Sequence, residues 1–267
     1  MRVQDRTFII SGGSSGLGLA TTTGLVHNGA YVAVFDLTEP AKAIVEKLPP
    51  NRVKFYPVDI ASTTSVADAV QDTVKWSNET HAPLGGTVCC AGVLAPGMII
   101  NSSFEPLALS TIQNAININL VGTLNLIRLV VSQLAQLPES IDPGNEYERG
   151  VVVMVSSAAA YDGQPGQVAY SATKGAIRSL TLPLARDLSR YGIRAVSIAP
   201  SLFSTAMTAK GKLPEKARQT IERNFEWPKR AGKPDEFSEF VLEICRNRML
   251  NGCCLRLDGA MRLPSKL

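Results

Sequence analysis

The chain has 267 residues, 45% of them hydrophobic and 19% charged, which is enough for one domain with a full core and no disulfide or metal to staple it. Mean hydropathy is +0.07, and no unbroken apolar run of about 18 residues occurs, so no transmembrane span is expected. The charge of +4, from 27 Lys and Arg against 23 Asp and Glu, forms no basic block; nucleic acid is excluded as an expected partner, and phosphate-bearing small molecules stay compatible.

Strand-like and helix-like stretches alternate from end to end. Thr7–Ser11 reads as a strand and Leu17–Asn28 as the helix after it. Tyr31–Asp36 is a second strand, Pro40–Leu48 a helix, Val53–Val58 a third strand and Ser65–Thr80 a helix. Gly86–Ala91 is a short apolar strand. Thr111–Leu137 reads as one long helix with an apolar face at Ile116, Leu120, Leu124, Ile127 and Val131. Val151–Ser156 is nearly all apolar, as a strand covered on both faces should be. Tyr170–Tyr191 is helical, Arg194–Ala199 a strand, and Cys253–Leu257 closes the series. The alternation predicts an α/β fold: one doubly wound domain, with a seven-stranded parallel sheet and helices on both faces. The domain spans residues 1–263. Pro138–Gly150 reads as a polar surface loop, and 201–232, past a strand's carboxyl end, is placed to cover a ligand.

The five cysteines, Cys89, Cys90, Cys245, Cys253 and Cys254, have neither zinc-site nor disulfide-framework spacing. They read as buried thiols in a reducing compartment. His27 and His81 are the only histidines, which argues against a histidine-based triad or metal site. Met1–Arg6 is too charged for a signal peptide, and no Arg/Ser-rich leader precedes Asp5. The tail, residues 264–267, ends in Ser265-Lys266-Leu267, the tripeptide read by the peroxisomal import receptor. The expected location is the peroxisome, or the cytoplasm if the tail is not read.

Ser11-Gly12-Gly13-Ser14-Ser15-Gly16-Leu17-Gly18 joins the first strand to the first helix. Glycines at 12, 16 and 18 allow backbone to approach a pyrophosphate, and the helix N-terminus supplies N–H donors. Gly12, Ser15, Gly16, Leu17 and Gly18 are therefore expected against a dinucleotide. Asp36, ending the second strand, can accept from both adenosine ribose hydroxyls and would repel a 2′-phosphate. No Arg or Lys occupies positions 14, 15, 37 or 38, so the cofactor is expected to be NAD rather than NADP. Asp59-Ile60, ending the third strand, is placed for an adenine-edge contact, although Asp59 can instead cap the following helix.

Tyr170 and Lys174 stand four apart on a helix and share a face. A nearby ammonium favours phenolate, so Tyr170 is a candidate general acid and base.

With the glycine turn upstream, the chain resembles the short-chain dehydrogenase/reductase family over residues 5–263. The motifs that carry the likeness are Gly12-x-x-x-Gly16-x-Gly18, Asp59, Asn119, Ser157, Tyr170-x-x-x-Lys174 and Pro200–Thr205. Within the family it is most similar to the type-2 3-hydroxyacyl-CoA dehydrogenases, through SGGSSGLGLAT, NLVGTLNLIRLV, DGQPGQVAYSATKGAI and IAPSLFSTAM. The resemblance implies NAD use, 3-hydroxyacyl-CoA chemistry in the (3S) series and a homotetramer or dimer built on the helices around Asn119 and Tyr170. It implies that Tyr170 exchanges a proton with the substrate oxygen and that Ser157 hydrogen-bonds that oxygen. Lys174 would hold the nicotinamide ribose, Asn119 would support a water relay to Lys174, and Gln164 would approach substrate. Cys90, Ala91, Gly92, Phe203 and Thr205 would line the cofactor, with Thr205 on the carboxamide.

Two departures stand out from the wider family. Cys90 replaces Asn, as in the type-2 enzymes. Ser201 replaces Gly after Pro200, where a Cβ would restrict the loop if a positive φ is required. Two other readings remain: an oxidoreductase of secondary metabolism acting on a non-CoA alcohol or ketone, and a non-catalytic scaffold subunit. The intact Ser157, Tyr170 and Lys174 argue against the second.

Overall fold

The computed structural model describes residues 1–138, 147–205, 208, 219 and 222–263. Seven strands form one parallel sheet in the order β3-β2-β1-β4-β5-β6-β7. They are β1 (Thr7–Ser11), β2 (Tyr31–Asp36), β3 (Val53–Pro57), β4 (Leu84–Cys89), β5 (Gly150–Val155), β6 (Ile193–Pro200) and β7 (Cys254–Leu257). Successive side chains point to opposite faces, and the core divides accordingly. Ile9, Ala33 and Phe35 face one cluster with Val70, Leu126, Val130 and Ile177. Phe8, Ile10, Val32 and Val34 face the other with Leu25, Phe237 and Val241. Helices α3 (Thr63–Glu79), α5 (Thr123–Leu134) and α6 (Val168–Leu188) supply the first layer; α1 (Gly16–His27) supplies the second. The strand order reverses beside β1, which opens a crevice at the carboxyl ends of β1 and β4.

The doubly wound sheet and most boundaries agree with the sequence reading, and the differences have local causes. The predicted helix at 40–48 shrinks to α2 (Lys42–Val45), whose side chains are not buried. The predicted long helix runs from Leu109 to Leu134 and is interrupted. It comprises α4 (Leu109–Ala115), a π-helical segment Ile116–Gly122, and α5. The insertion rotates the helix, so the predicted apolar face is only partly the buried one: Ile127 is in the core, and Leu120 and Val131 pack against it. Leu126, Ile127, Val130 and Leu134 are buried, whereas Ile116 and Leu124 are exposed. This stretch is long and apolar enough by composition to cross a membrane. Its inner side packs on the sheet in core contact with Leu84 and Met154.

A helix absent from the sequence reading, α7 (Pro234–Arg246), completes the second layer. Pro234 begins it, Asp235 and Glu236 occupy its first turn, and the Glu236 carboxylate accepts from the Lys233 backbone N–H at 2.7 Å. Of the loop expected at Pro138–Gly150, residues 139–146 lie outside the described residues. Its end is not a surface loop: Glu148 and Arg149 are buried. The Glu148 carboxylate pairs with Arg194 at 2.7 Å, and Arg149 donates to the Leu137 carbonyl at 2.6 Å. These partners offset the cost of burying charge. All five cysteines are free thiols, with Cys89 and Cys245 buried and the other three half-buried. The tail at 264–267 lies outside the described residues.

Candidate active site

The crevice is a cavity of about 590 Å³. Its dinucleotide side begins at the turn after β1. Gly12 has φ +67°, and a Cβ there would sit 2.8 Å from the Ala91 nitrogen. A Cβ on Gly18 would lie 2.1 Å from the Gly12 carbonyl oxygen. Only glycine lets this strand–turn–helix close on itself. Ser15, Gly16 and Leu17 line the cavity at the start of α1, whose first turn has no acidic residue and no side-chain cap. Those N–H donors are left for an anionic ligand.

Asp36 also lines the cavity, held by the Ser14 N–H at 3.0 Å and the Leu37 N–H at 2.8 Å. Asp59 accepts from the Ala61 N–H at 2.9 Å, while Ser62 caps α3 by accepting from Ser65. The capping alternative for Asp59 thus passes to Ser62, leaving Asp59 beside Ile60 in the cavity wall. Cys90, Ala91 and Gly92 form the wall after β4. Burial raises the Cys90 thiol, which keeps it protonated. The glycine cradle, the open helix end and Asp36 fit an adenine dinucleotide.

The reacting side is carried by β5 and α6. Ser156 and Ser157 follow β5 and diverge. The buried Ser156 hydroxyl donates to the Lys174 carbonyl at 2.8 Å, whereas the Ser157 hydroxyl accepts from the Ala159 N–H at 3.1 Å and acts on the Tyr170 phenol. Lys174 is 5% exposed and donates to the Val155 carbonyl at 2.8 Å. Its Nζ lies 5.7 Å from the Tyr170 ring centre. Burial depresses the Lys174 ammonium to about 8. Burial also raises the Tyr170 phenol above its ordinary 10.0, opposed by the neighbouring Ser157 hydroxyl. Desolvation therefore dominates the phenol, and the expected lowering by Lys174 is not among the influences on it. Tyr170 is poised as a proton donor at neutral pH.

Asn119 is the one predicted site residue outside the cavity wall. Its amide donates to the Val93 carbonyl at 2.9 Å and to Thr173 at 3.1 Å, and its carbonyl accepts from Val93 at 2.8 Å. It clamps the segment after β4 to α6, and its side-chain donors are both committed. Its place in the π-helical segment matches the frequency of such insertions at functional sites.

Gln164 lines the cavity and its buried amide nitrogen has no partner. Gln167, three residues before Tyr170 and missed by the sequence reading, lines the same wall with a buried, unpartnered carbonyl oxygen. Helical spacing from Tyr170 was the available signal. Leu202 and Leu263 also reach the cavity, and Leu263 carried no signal at all. Phe203 borders the cavity, but its ring packs edge-to-face on Phe237 with centroids 6.2 Å apart. Thr205 rests over Gly16, its Cβ 3.4 Å from where a Gly16 Cβ would stand, and its hydroxyl lies 3.3 Å from that of Thr208. Ser201 has no positive φ, so its Cβ brings no backbone strain. Residues 206–207, 209–218 and 220–221 of the expected covering segment lie outside the described residues.

A glycine-turn crevice facing a serine, tyrosine and buried lysine defines a dehydrogenase acting on CH–OH donors. The chain belongs to the short-chain dehydrogenase/reductase family: the short chain dehydrogenase family model matches residues 6–216. It is 41% identical over 262 residues to 3-hydroxyacyl-CoA dehydrogenase type-2 of Drosophila melanogaster, covering 98% of this chain and 99% of that one. It is 30% identical to ipsdienol dehydrogenase of Ips pini over 264 residues, 98% of this chain and 99% of that one. The crystal structure of 3-hydroxyacyl-CoA dehydrogenase type-2 from Mycobacterium avium superposes with a TM-score of 0.86 at 34% identity, covering 100% of both chains.

Proposed function

We propose that the protein interconverts (3S)-3-hydroxyacyl-CoA and 3-oxoacyl-CoA with NAD, as a homotetramer serving peroxisomal fatty-acid oxidation. The observation that carries this reading is the placing of Ser157, Tyr170 and Lys174 opposite the Asp36 carboxylate in one crevice. The dinucleotide, when bound, supplies or accepts the hydride. Gly12, Ser15, Gly16 and Leu17 would hold its phosphates, and Asp36 its adenosine ribose. In the reductive direction Tyr170 donates its phenolic proton to the substrate oxygen, while Ser157 orients that oxygen and stabilises its developing charge. In the oxidative direction Tyr170 takes the hydroxyl proton. Lys174, anchored on Val155, places a positive charge beside the Tyr170 ring.

The unpartnered Gln164 amide nitrogen is a donor suited to an acyl carbonyl next to the reacting carbon. The names of the fly and mycobacterial relatives support the CoA ester. Exposed Val121 and Leu124 on the π-helical segment and α5, with Val168 and Leu182 on α6, support assembly on these helices. The peroxisomal location and its import receptor rest on Ser265-Lys266-Leu267.

The purified protein should consume NADH rapidly with acetoacetyl-CoA and slowly with NADPH in its place. No turnover on any acyl-CoA would overturn the substrate. A second reading, oxidation of a non-CoA secondary alcohol, is favoured by the likeness to ipsdienol dehydrogenase. It gains if NADH is consumed only with a free ketone.

A further inference from the structure

Between Ala91 and Ile127 the chain carries a single charged residue, Glu105. The middle of this stretch forms a hairpin at the rim of the crevice. Ile100 pairs antiparallel with Pro106, and the Leu107 N–H donates to the Ile99 carbonyl at 3.0 Å. The turn is firmly built. The Asn101 side-chain carbonyl accepts from Ser103 and Glu105, each at 2.9 Å, and its amide donates to the Glu105 carboxylate at 2.8 Å. This holds Phe104 at φ +61° with 84% of its surface exposed. Met98, Ile99 and Ile100 are exposed beside it. A bulky aromatic held at positive φ in water is costly on both counts, so the face reads as a prepared contact surface.

The hairpin is continuous with the reacting side of the crevice. Gly97 bridges to Gln167, and its N–H donates to the Gly166 carbonyl at 2.9 Å. The Met98 sulfur lies 3.8 Å from where a Gly166 Cβ would stand. Gln167, Leu94 and Pro96 line the crevice beside Tyr170. The hairpin therefore adjoins the crevice wall at Gln167, next to Leu94 and Pro96.

We propose that the Met98–Phe104 face of this hairpin is the subsite for the distal acyl chain of the substrate and sets chain-length preference; this rests on the acyl thioester reading above. The lack of charge selects the occupant. No Lys or Arg lies between Ala91 and Ile127 to attract an anionic lipid surface or the phosphates of CoA. Glu105 at the turn repels both. An alkyl chain asks only for apolar area, and each methylene laid on the ledge leaves water.

The test compares acetoacetyl-CoA with 3-oxodecanoyl-CoA in the unaltered protein and in Phe104→Ser and Met98→Ser. In the unaltered protein kcat/KM should be higher for the longer substrate. The variants should lose about tenfold on it, through KM, and under about twofold on acetoacetyl-CoA. Equal loss on both substrates, or a flat chain-length profile in the unaltered protein, overturns the subsite. A Phe104→Ser variant that elutes as a smaller assembly assigns the face to a second copy of the chain, and a variant that loses flotation with vesicles of neutral phospholipid assigns it to membrane; either overturns the proposal. Failure of acetoacetyl-CoA itself in the unaltered protein refutes the thioester reading instead.

Discussion

The two sides of the crevice are built by different means. The dinucleotide side uses short runs at successive strand ends: Gly12–Gly18 after β1, Asp36 at the end of β2, Asp59-Ile60 after β3. Its working parts are backbone groups and one carboxylate, fixed by turns that close only with glycine. The reacting side draws on four stretches far apart in the chain: 92–96, 157–174, 200–205 and Leu263. Its working parts are side chains that meet only once the sheet is assembled. Local geometry is therefore enough to specify what holds a cofactor, whereas substrate recognition depends on the tertiary fold.

The sharpest way to separate the two sides is Tyr170→Phe, which removes only the proton donor. We expect kcat to fall about a thousandfold, with NADH affinity, followed by fluorescence titration, within about twofold. Next in size is pH. The folded phenol lies above its ordinary value, so the phenolate needed for alcohol oxidation is scarce at neutrality. Oxidation should climb about tenfold per pH unit on the acid side, nearly a hundredfold over two units, while ketone reduction stays level until the Lys174 ammonium is lost above about 8. Initial rates in both directions check the sign: protonation supplies the reductive acid and removes the oxidative base.

On the dinucleotide side, Gly18→Ala forces a Cβ to within 2.1 Å of the Gly12 carbonyl. A loss of about 1–3 kcal/mol in urea unfolding is expected, with weakened NADH binding. Asp36→Ala is milder: it introduces no clash, and removes the proposed ribose acceptor together with one hydrogen bond from the turn, that of the Ser14 N–H. It should raise KM for NADH about tenfold and improve NADPH, with substrate KM unmoved. Equal effects of Asp36→Ala on both substrates would erase the distinction between the sides.

The same division explains what could be read from the sequence. Strand ends, the glycine turn and the Tyr170–Lys174 pair follow from period and spacing, and the doubly wound parallel sheet follows from strand–helix alternation. The buried face of the long helix follows only in part, because seven π-helical residues shift the register beyond Ile116 and leave Ile116 and Leu124 exposed. The α7 helix was legible in principle: Pro234, two acids and Phe237, Val241 and Ile244 at helical spacing announce it. Ser157 could be ranked above Ser156 only by the family likeness; the structure shows the physical reason, since Ser156 turns inward to the Lys174 carbonyl. Leu263 reaches the crevice from beyond β7, and no local pattern encodes such a contact.

The most direct test of the whole account is a single turnover with NADH deuterated at the transferring carbon and acetoacetyl-CoA, read by mass spectrometry of the acyl product. The account predicts one deuterium on the hydroxyl-bearing carbon, formed rapidly by the unaltered protein and about a thousandfold more slowly by Tyr170→Phe. Product without deuterium at that carbon, or formed equally fast by Tyr170→Phe, would contradict it.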